Sequence, residues 1–374
     1  MKKTLLVITI ILSIFTSLLS ACAGGGVVNN NWPGLLVDEK SNTAYVAYGQ
    51  HIYAVDMNTG SEKWRFPSEA NKQMNFYAAP VLAGDGQLIV AGFNNKLYSL
   101  NPENGQQNWQ FPRDENQTQA PQNSNDHFVA SVGILGDKIY APNTDNNIYI
   151  TNLRGEAVSD PIPTGDQIWG TPVTDGKNIY VASMDHHVYA IDVETNQQAW
   201  KSEDLGGAIG GTPAISSDGI LYVGTLNSEL IALDTTDGRI KWRQSADGWV
   251  WNGPTLESDS IYYGDLWGSI YAQKSLDGSS LWTPIQPDSA QKRGITDRPL
   301  LKNGQLYFGS ESGGLFEVNA ANGSFRSIGK FEGSFHTSPQ LAGENILIAI
   351  ISPNALLMAL DTNGNQRWVY NPRK

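Results

Sequence analysis

A single cysteine, Cys22, stands in 374 residues. No disulfide can staple this chain internally, and neither a haem-attachment pair nor a cysteine-based metal site can form. Histidine is scarce too: His51, His127, His186, His187 and His336 are the full set. Only His186 and His187 adjoin, and neighbours at a strand end point to opposite sides, so the pair does not chelate one ion. Positive charge is in deficit, with 25 Lys and Arg against 37 Asp and Glu and a net charge of −12. That balance argues against a nucleic-acid partner and against an electrostatic hold on anionic lipid. No long amphipathic helical pattern follows the leader, and no P-loop, nucleophile elbow or zinc signature occurs.

What fills the chain is a repeat. Between Gly211 and Arg243, four short apolar runs are split by turn signals: Ala214–Ser216, Ile220–Gly224, Leu230–Asp234 and Ile240–Gln244. Gly, Asn or Asp bounds each run, the residues that tolerate positive φ or make side-chain turn bonds. The third run ends in Asp or Asn at 56, 101, 152, 192, 234, 319 and 361, and in Lys at 274. The step is about 44 residues, within the 40–50 of a four-stranded propeller blade. A tryptophan column marks the last strand at 64, 109, 200, 242, 282 and 368, and a proline column opens the first at 80, 172, 213, 254, 299 and 339. The expectation is an all-β, eight-bladed β-propeller of four-stranded antiparallel blades, stabilised blade on blade. Blades 3 and 7 lack the tryptophan. The repeated Asp is read as a turn acceptor and not as a calcium ligand, which would need several oxygens from one loop. The tryptophans are read as inter-blade packing. The counting suggests simple closure between first and last blades, with Val27–Asn31 a possible added strand.

The beginning of the chain predicts where it works. Lys2 and Lys3 precede an apolar stretch, Leu5–Leu19, too short for a comfortable membrane span. It ends in Leu19-Ser20-Ala21-Cys22, which resembles the bacterial lipobox. The expected organisation is a lipoprotein signal peptide (1–21), lipidation at Cys22, a flexible tether (22–31) and the propeller (32–374). The predicted location is the cell envelope, extracytoplasmic, held to a membrane by lipid.

Residues 52–66, Ile-Tyr-Ala-Val-Asp-Met-Asn-Thr-Gly-Ser-Glu-Lys-Trp-Arg-Phe, resemble the repeat of the pyrroloquinoline-quinone-like propellers. That superfamily includes quinoprotein alcohol dehydrogenases and the propeller lipoprotein of the outer-membrane β-barrel assembly machinery. The resemblance implies eight blades. The enzymes resemble one another in an adjacent Cys pair, a stacking Trp, calcium ligands and an Asp base over a quinone. Here no second Cys exists, and Trp251 and Asp297 are the residues that could stand for the stacking ring and the base. No catalytic residue, cofactor or metal ligand is assigned.

Strand parity sorts the loops. Blade-to-blade connections and second-to-third-strand loops share one face of the disc; the first-to-second and third-to-fourth turns share the other. The turns are short and polar, whereas the connector face carries two insertions (Pro112–His127 and Thr283–Asp297) and an aromatic load. Function belongs on loops the scaffold does not need. The candidate partner-binding residues are Tyr77, Trp169, Trp249, Trp251, Trp267, Arg293, Asp297, Arg298 and His336. Aromatics with cationic edges suit a protein of the cell envelope or a glycan. Phe76, Ile168 and Phe335 are read as packing. The resulting expectation is a monomeric, non-catalytic binding scaffold; the alternative is a quinoprotein-type dehydrogenase or another propeller enzyme acting on polysaccharide.

Overall fold

The computed structural model describes residues 32–113, 119–123, 125–288 and 293–372. Cys22, the signal peptide, the tether and Val27–Asn31 lie outside the described residues. Among the described residues every regular element is a strand, and no helix is long and apolar enough to cross a membrane.

Eight antiparallel blades follow one another as 34–66, 81–111, 133–163, 173–201, 214–245, 255–285, 300–330 and 340–370. Seven are four-stranded meanders in chain order. In blade 5 the strands are Ala214–Ile215, Ile220–Thr225, Glu229–Asp234 and Ile240–Ser245, within a residue or two of the periodicity. Blade 6 keeps three regular strands, Thr255–Glu257, Ser260–Gly264 and Ile270–Lys274. Its outer edge is reduced to two isolated bridges, Gln273 to Ser280 and Ile270 to Ile285. Pro284 has no N–H to give a ladder, which interrupts pairing between them.

Hydrophobic burial follows the seams. Eight buried clusters form, each drawn from two adjacent blades, and one joins blade 8 to blade 1 through Leu347, Leu357, Leu35 and Val46. Blade 1 and blade 8 each complete a four-stranded sheet from their own consecutive strands. The ring therefore closes by side-on packing, with Gln340 Nε2 donating to Leu35 O at 2.6 Å and Val37 N donating to Gln340 Oε1 at 3.1 Å.

The tryptophan column is the recurrent clasp of these seams. Each indole Nε1 donates to a carbonyl in the next blade's third-to-fourth-strand turn: Trp64 to Pro102, Trp109 to Leu153, Trp200 to Thr235, Trp242 to Ser275, Trp282 to Ala320 and Trp368 to Met57, at 2.8–3.1 Å. The indole face lies on a turn glycine. Gly60, Gly105 and Gly238 adopt φ of 72–73°, and a Cβ there would stand 2.6 Å from the ring of Trp368, Trp64 or Trp200. Glycine is required twice over, by conformation and by space.

The two blades without the tryptophan substitute a cation. Lys138 Nζ of blade 3 donates to Val193 O at 2.5 Å and Asn196 Oδ1 at 2.9 Å; Arg326 Nη2 of blade 7 donates to Thr362 O at 3.3 Å. The repeated acidic residue serves its turn: Asp56 Oδ1 accepts from Asn58 N and Thr59 N at 3.0 Å, and Asp192 and Asp361 do likewise. Lys274 cannot accept, and there Asp277 Oδ1 takes the Ser279 N–H at 2.9 Å.

Candidate functional site

The connector face holds three distinct arrangements. The first is a belt around the channel, built from residues just before the first-strand prolines. Thr171 N donates to Thr212 Oγ1 (3.0 Å), Thr212 N to Asn252 Oδ1 (2.8 Å), and Asn252 Nδ2 to Asp297 Oδ1 (2.9 Å). Asp297 Oδ2 then accepts from Ser338 N at 2.6 Å, and Thr337 Oγ1 donates to Pro33 O. Blades 4 to 8 and blade 1 are thus linked, side chain to backbone at every step except the side-chain pair Asn252–Asp297. Asp297 also accepts from Arg298 N at 2.8 Å, and Arg298 Nη2 reaches Thr212 O at 3.4 Å. Asp297 and Arg298 work as structural joints between blades.

The second arrangement crosses the channel mouth. Trp32 stacks on His336 with centroids 5.0 Å apart and planes 3° from parallel. Trp251 meets Trp32 edge-on at 5.9 Å, and Trp169 lies 6.1 Å from Trp251. Connectors leading into blades 8, 1, 6 and 4 supply these four rings, so the string runs across the ring of blades. Trp169 is held by its Nε1–H to Gln167 Oε1 at 2.8 Å.

His336 is largely buried here. Its Nε2 lies 3.2 Å from Ser334 Oγ, its Nδ1 has no hydrogen-bond partner, and the Glu311 carboxylate is 3.8 Å away. Burial pushes its pKa down from 6.5 to about 4. Because the folded value lies below the unfolded one, the unfolded chain binds the extra proton between these pH values. The His336 contribution should be complete above pH 6.5 and lost as pH falls from there to about 4. In His336→Phe, which keeps the stack, the melting temperature should vary less with pH over that window than in the parent. An unchanged slope would show that His336 does not titrate this way.

The third arrangement is an exposed patch on blade 6. Trp267 is 59 % exposed, yet its loop is fixed from below. Asp265, fully buried, accepts from Gly248 N (2.8 Å), Trp267 N (2.9 Å), Ser269 N (2.8 Å) and Tyr271 OH (2.9 Å). Gly248 lies under the indole, and Gly268 abuts the Arg293 carbonyl, where a Cβ would be only 2.8 Å away. Leu266 N donates to Trp249 O at 2.9 Å, tying the half-buried Trp249 segment to the same loop. Trp249, Trp267 and exposed Arg293 therefore share one corner of the rim.

The nine candidate residues divide accordingly: Trp169, Trp251 and His336 at the mouth, Asp297 and Arg298 in the belt, Trp249, Trp267 and Arg293 on the corner. Tyr77 is elsewhere, beside Phe93 at 4.8 Å, which stacks on His127 at 3.6 Å. Phe76, Ile168 and Phe335 are buried, in keeping with packing. Sequence reasoning missed Trp32 and Asp265. Asp265 had a signal: Asn94, Asp145 and Asp185 each bond a tyrosine hydroxyl four residues on, and Asp265 does so six residues on.

A quinone does not fit these residues. The ring that would stack on it, Trp251, is packed between Trp32 and Trp169. The carboxylate that would act as base, Asp297, is committed to three inter-residue donors. The crevice beside them, lined by Asn252, Tyr263, Ile295 and Arg298, has an open volume of about 0 Å³. Among the described residues no group of three His, Cys, Asp or Glu could hold a metal ion.

Comparison with known proteins agrees with this geometry. The family model described as outer membrane protein assembly factor BamB matches residues 23–202, 185–328 and 268–373. The BamB of Moranella endobia (strain PCIT) is 27 % identical over 220 residues, covering 54 % of this chain and 54 % of that protein. The BamB of Salmonella typhimurium (strain LT2) is 32 % identical over 138 residues, 37 % of this chain and 34 % of that one. The chain spans about half the length, or less, of these curated relatives. Among solved structures, BamB from Moraxella catarrhalis aligns with a TM-score of 0.67 at 17 % identity, over 87 % of this chain and 92 % of that one. The computationally designed Ika8 protein reaches 0.70 at 13 % identity, over 91 % and 96 %; both likenesses concern the fold. With the family model matched across nearly the whole propeller, the chain belongs to the family of the outer membrane protein assembly factor BamB.

Proposed function

We propose that this protein is a lipid-anchored, extracytoplasmic scaffold that docks a protein of the cell envelope on its connector face and assists outer-membrane protein assembly. The observation that carries the reading is the blade 6 corner, where an indole 59 % exposed sits on a loop immobilised by a buried carboxylate. A large apolar ring held rigidly in water costs little entropy to bury and is the usual form of an interface anchor. A protein is favoured over a glycan because the mouth rings pack against each other, leaving Trp267 as an isolated anchor in place of an open stacking platform. The relatives' name, outer membrane protein assembly factor, supports the assembly role.

Lipid attachment at Cys22 fits the same orientation. Trp32 lies in the channel mouth on the connector face. The residues between Cys22 and Trp32 span at most about 35 Å when extended, which keeps this face near the membrane that holds the partner. Cys22→Ser should release the protein from membranes or leave an uncleaved precursor; unchanged detergent-phase partitioning would remove the anchor.

The docking site is tested by Trp267→Ala in the full-length protein. Truncating such an anchor typically costs about 2 kcal/mol or more in binding. Co-purification of the envelope partner from solubilised membranes should fall by well over tenfold, about the effect of that free energy, with the melting temperature unchanged. Normal co-purification, and full rescue of outer-membrane protein levels in a deletion strain, would place the docking site elsewhere.

A further inference from the structure

We infer that the seam between blades 6 and 7 holds a second docking groove, on the opposite face of the disc, for an extended segment bearing an apolar side chain between basic residues. A groove of about 470 Å³ opens there, lined by Tyr262 and Leu281 of blade 6 and by the turns at Asn303 and Ala321 of blade 7. Its origin is local. At the seams after blades 1, 4 and 5 a second-strand tyrosine packs on the clasp tryptophan (Tyr45 on Trp64, Tyr180 on Trp200, Tyr222 on Trp242) with centroids 5.6–5.8 Å apart. Tyr262 occupies the equivalent register position, opposite Ala272 as Tyr222 is opposite Ala232. Blade 6, however, has no regular fourth strand to bring Trp282 onto it, and among the described residues the two rings make no such pair. Space filled elsewhere is left open.

The surroundings say what would occupy it. Leu281 is 38 % exposed at the groove, beside Tyr262. The leucine and the tyrosine ring give the slot an apolar lining that water disfavours. The rim is acidic. Glu257 lines the groove, Asp259 is next to its floor residue Ser260, and neither enters an ion pair among the described residues. Lys302, the nearby cation of blade 7, turns away to Glu344 of blade 8 at 3.4 Å. Uncompensated carboxylates around an apolar slot select lysine or arginine flanking a hydrophobic side chain.

The test uses two labelled peptides, Lys-Lys-Leu-Phe-Lys-Lys and Glu-Glu-Leu-Phe-Glu-Glu, titrated by fluorescence anisotropy against the mature protein. The basic peptide should bind and the acidic one should not. Leu281→Lys and Ala321→Arg, both at exposed positions, should each weaken the basic peptide about tenfold or more with unchanged melting temperature. Trp267→Ala should leave this binding intact, which separates it from the connector-face site. No binding of the basic peptide, equal binding of both, or indifference to Ala321→Arg would each overturn the groove assignment.

Discussion

Asp297→Ala is expected to lower the unfolding free energy by about 3 kcal/mol or more, although the residue looks like an active-site carboxylate in sequence. Its two oxygens accept from Asn252 Nδ2, Arg298 N and Ser338 N, and so join blade 7 to blades 6 and 8. Removing the acceptor leaves three donors in a half-buried belt, and hydrogen bonds to a charged group contribute about 1.5–3 kcal/mol each. Urea denaturation should show a lower midpoint with an unchanged slope. Asp297→Asn, which keeps one acceptor oxygen, should lose less. Unaltered stability in the alanine variant would mean that the belt carries no load and would reopen a chemical role for this carboxylate.

Trp368→Ala should be the most damaging of the six clasp substitutions. Loss of a packed tryptophan costs about 3–5 kcal/mol through transfer and cavity terms. Here the carbonyl of Met57 also loses its donor, and the affected seam is the one that closes the ring, between blades 8 and 1. A closed array depends on every interface, with no free end to absorb the loss. Trp282→Ala, at the seam already opened by blade 6, should cost less because less is packed around it. Equal effects at the two positions, read from chemical denaturation, would show that the seams are interchangeable and that closure has no special weight.

The parts of this molecule that repeat were legible, because a repeated contact leaves a repeated residue. The Asp or Asn ending each third strand announced a turn acceptor, and the tryptophan column announced a packing element whose indole indeed lies on the neighbouring blade. The contacts made once could not be read that way. Lys138 and Arg326 replace two tryptophans by reaching the same turn with a different chemistry, and nothing in their local sequence marks it. The belt uses Thr one residue, and Asn and Asp two residues, before the first-strand prolines, so neither identity nor offset marks the shared role. Trp251 lies close to Trp249 and Trp267 in sequence. Ring closure instead carries it to Trp32 and Trp169, more than 200 and about 80 residues away in the chain, a pairing that only the closed ring creates. The connector face was deduced from strand parity alone, and the mouth string, the belt and the Trp267 corner all lie in its loops.

Docking of the envelope protein belongs, we propose, to the connector face. It is tested most directly by placing a photo-crosslinking amino acid at position 267 in cells and comparing it with positions 85 and 218, in first-to-second-strand turns on the other face. A discrete adduct with one envelope protein is expected from 267, and none with that protein from 85 or 218. The same adduct from the two turn positions, with none from 267, would contradict it.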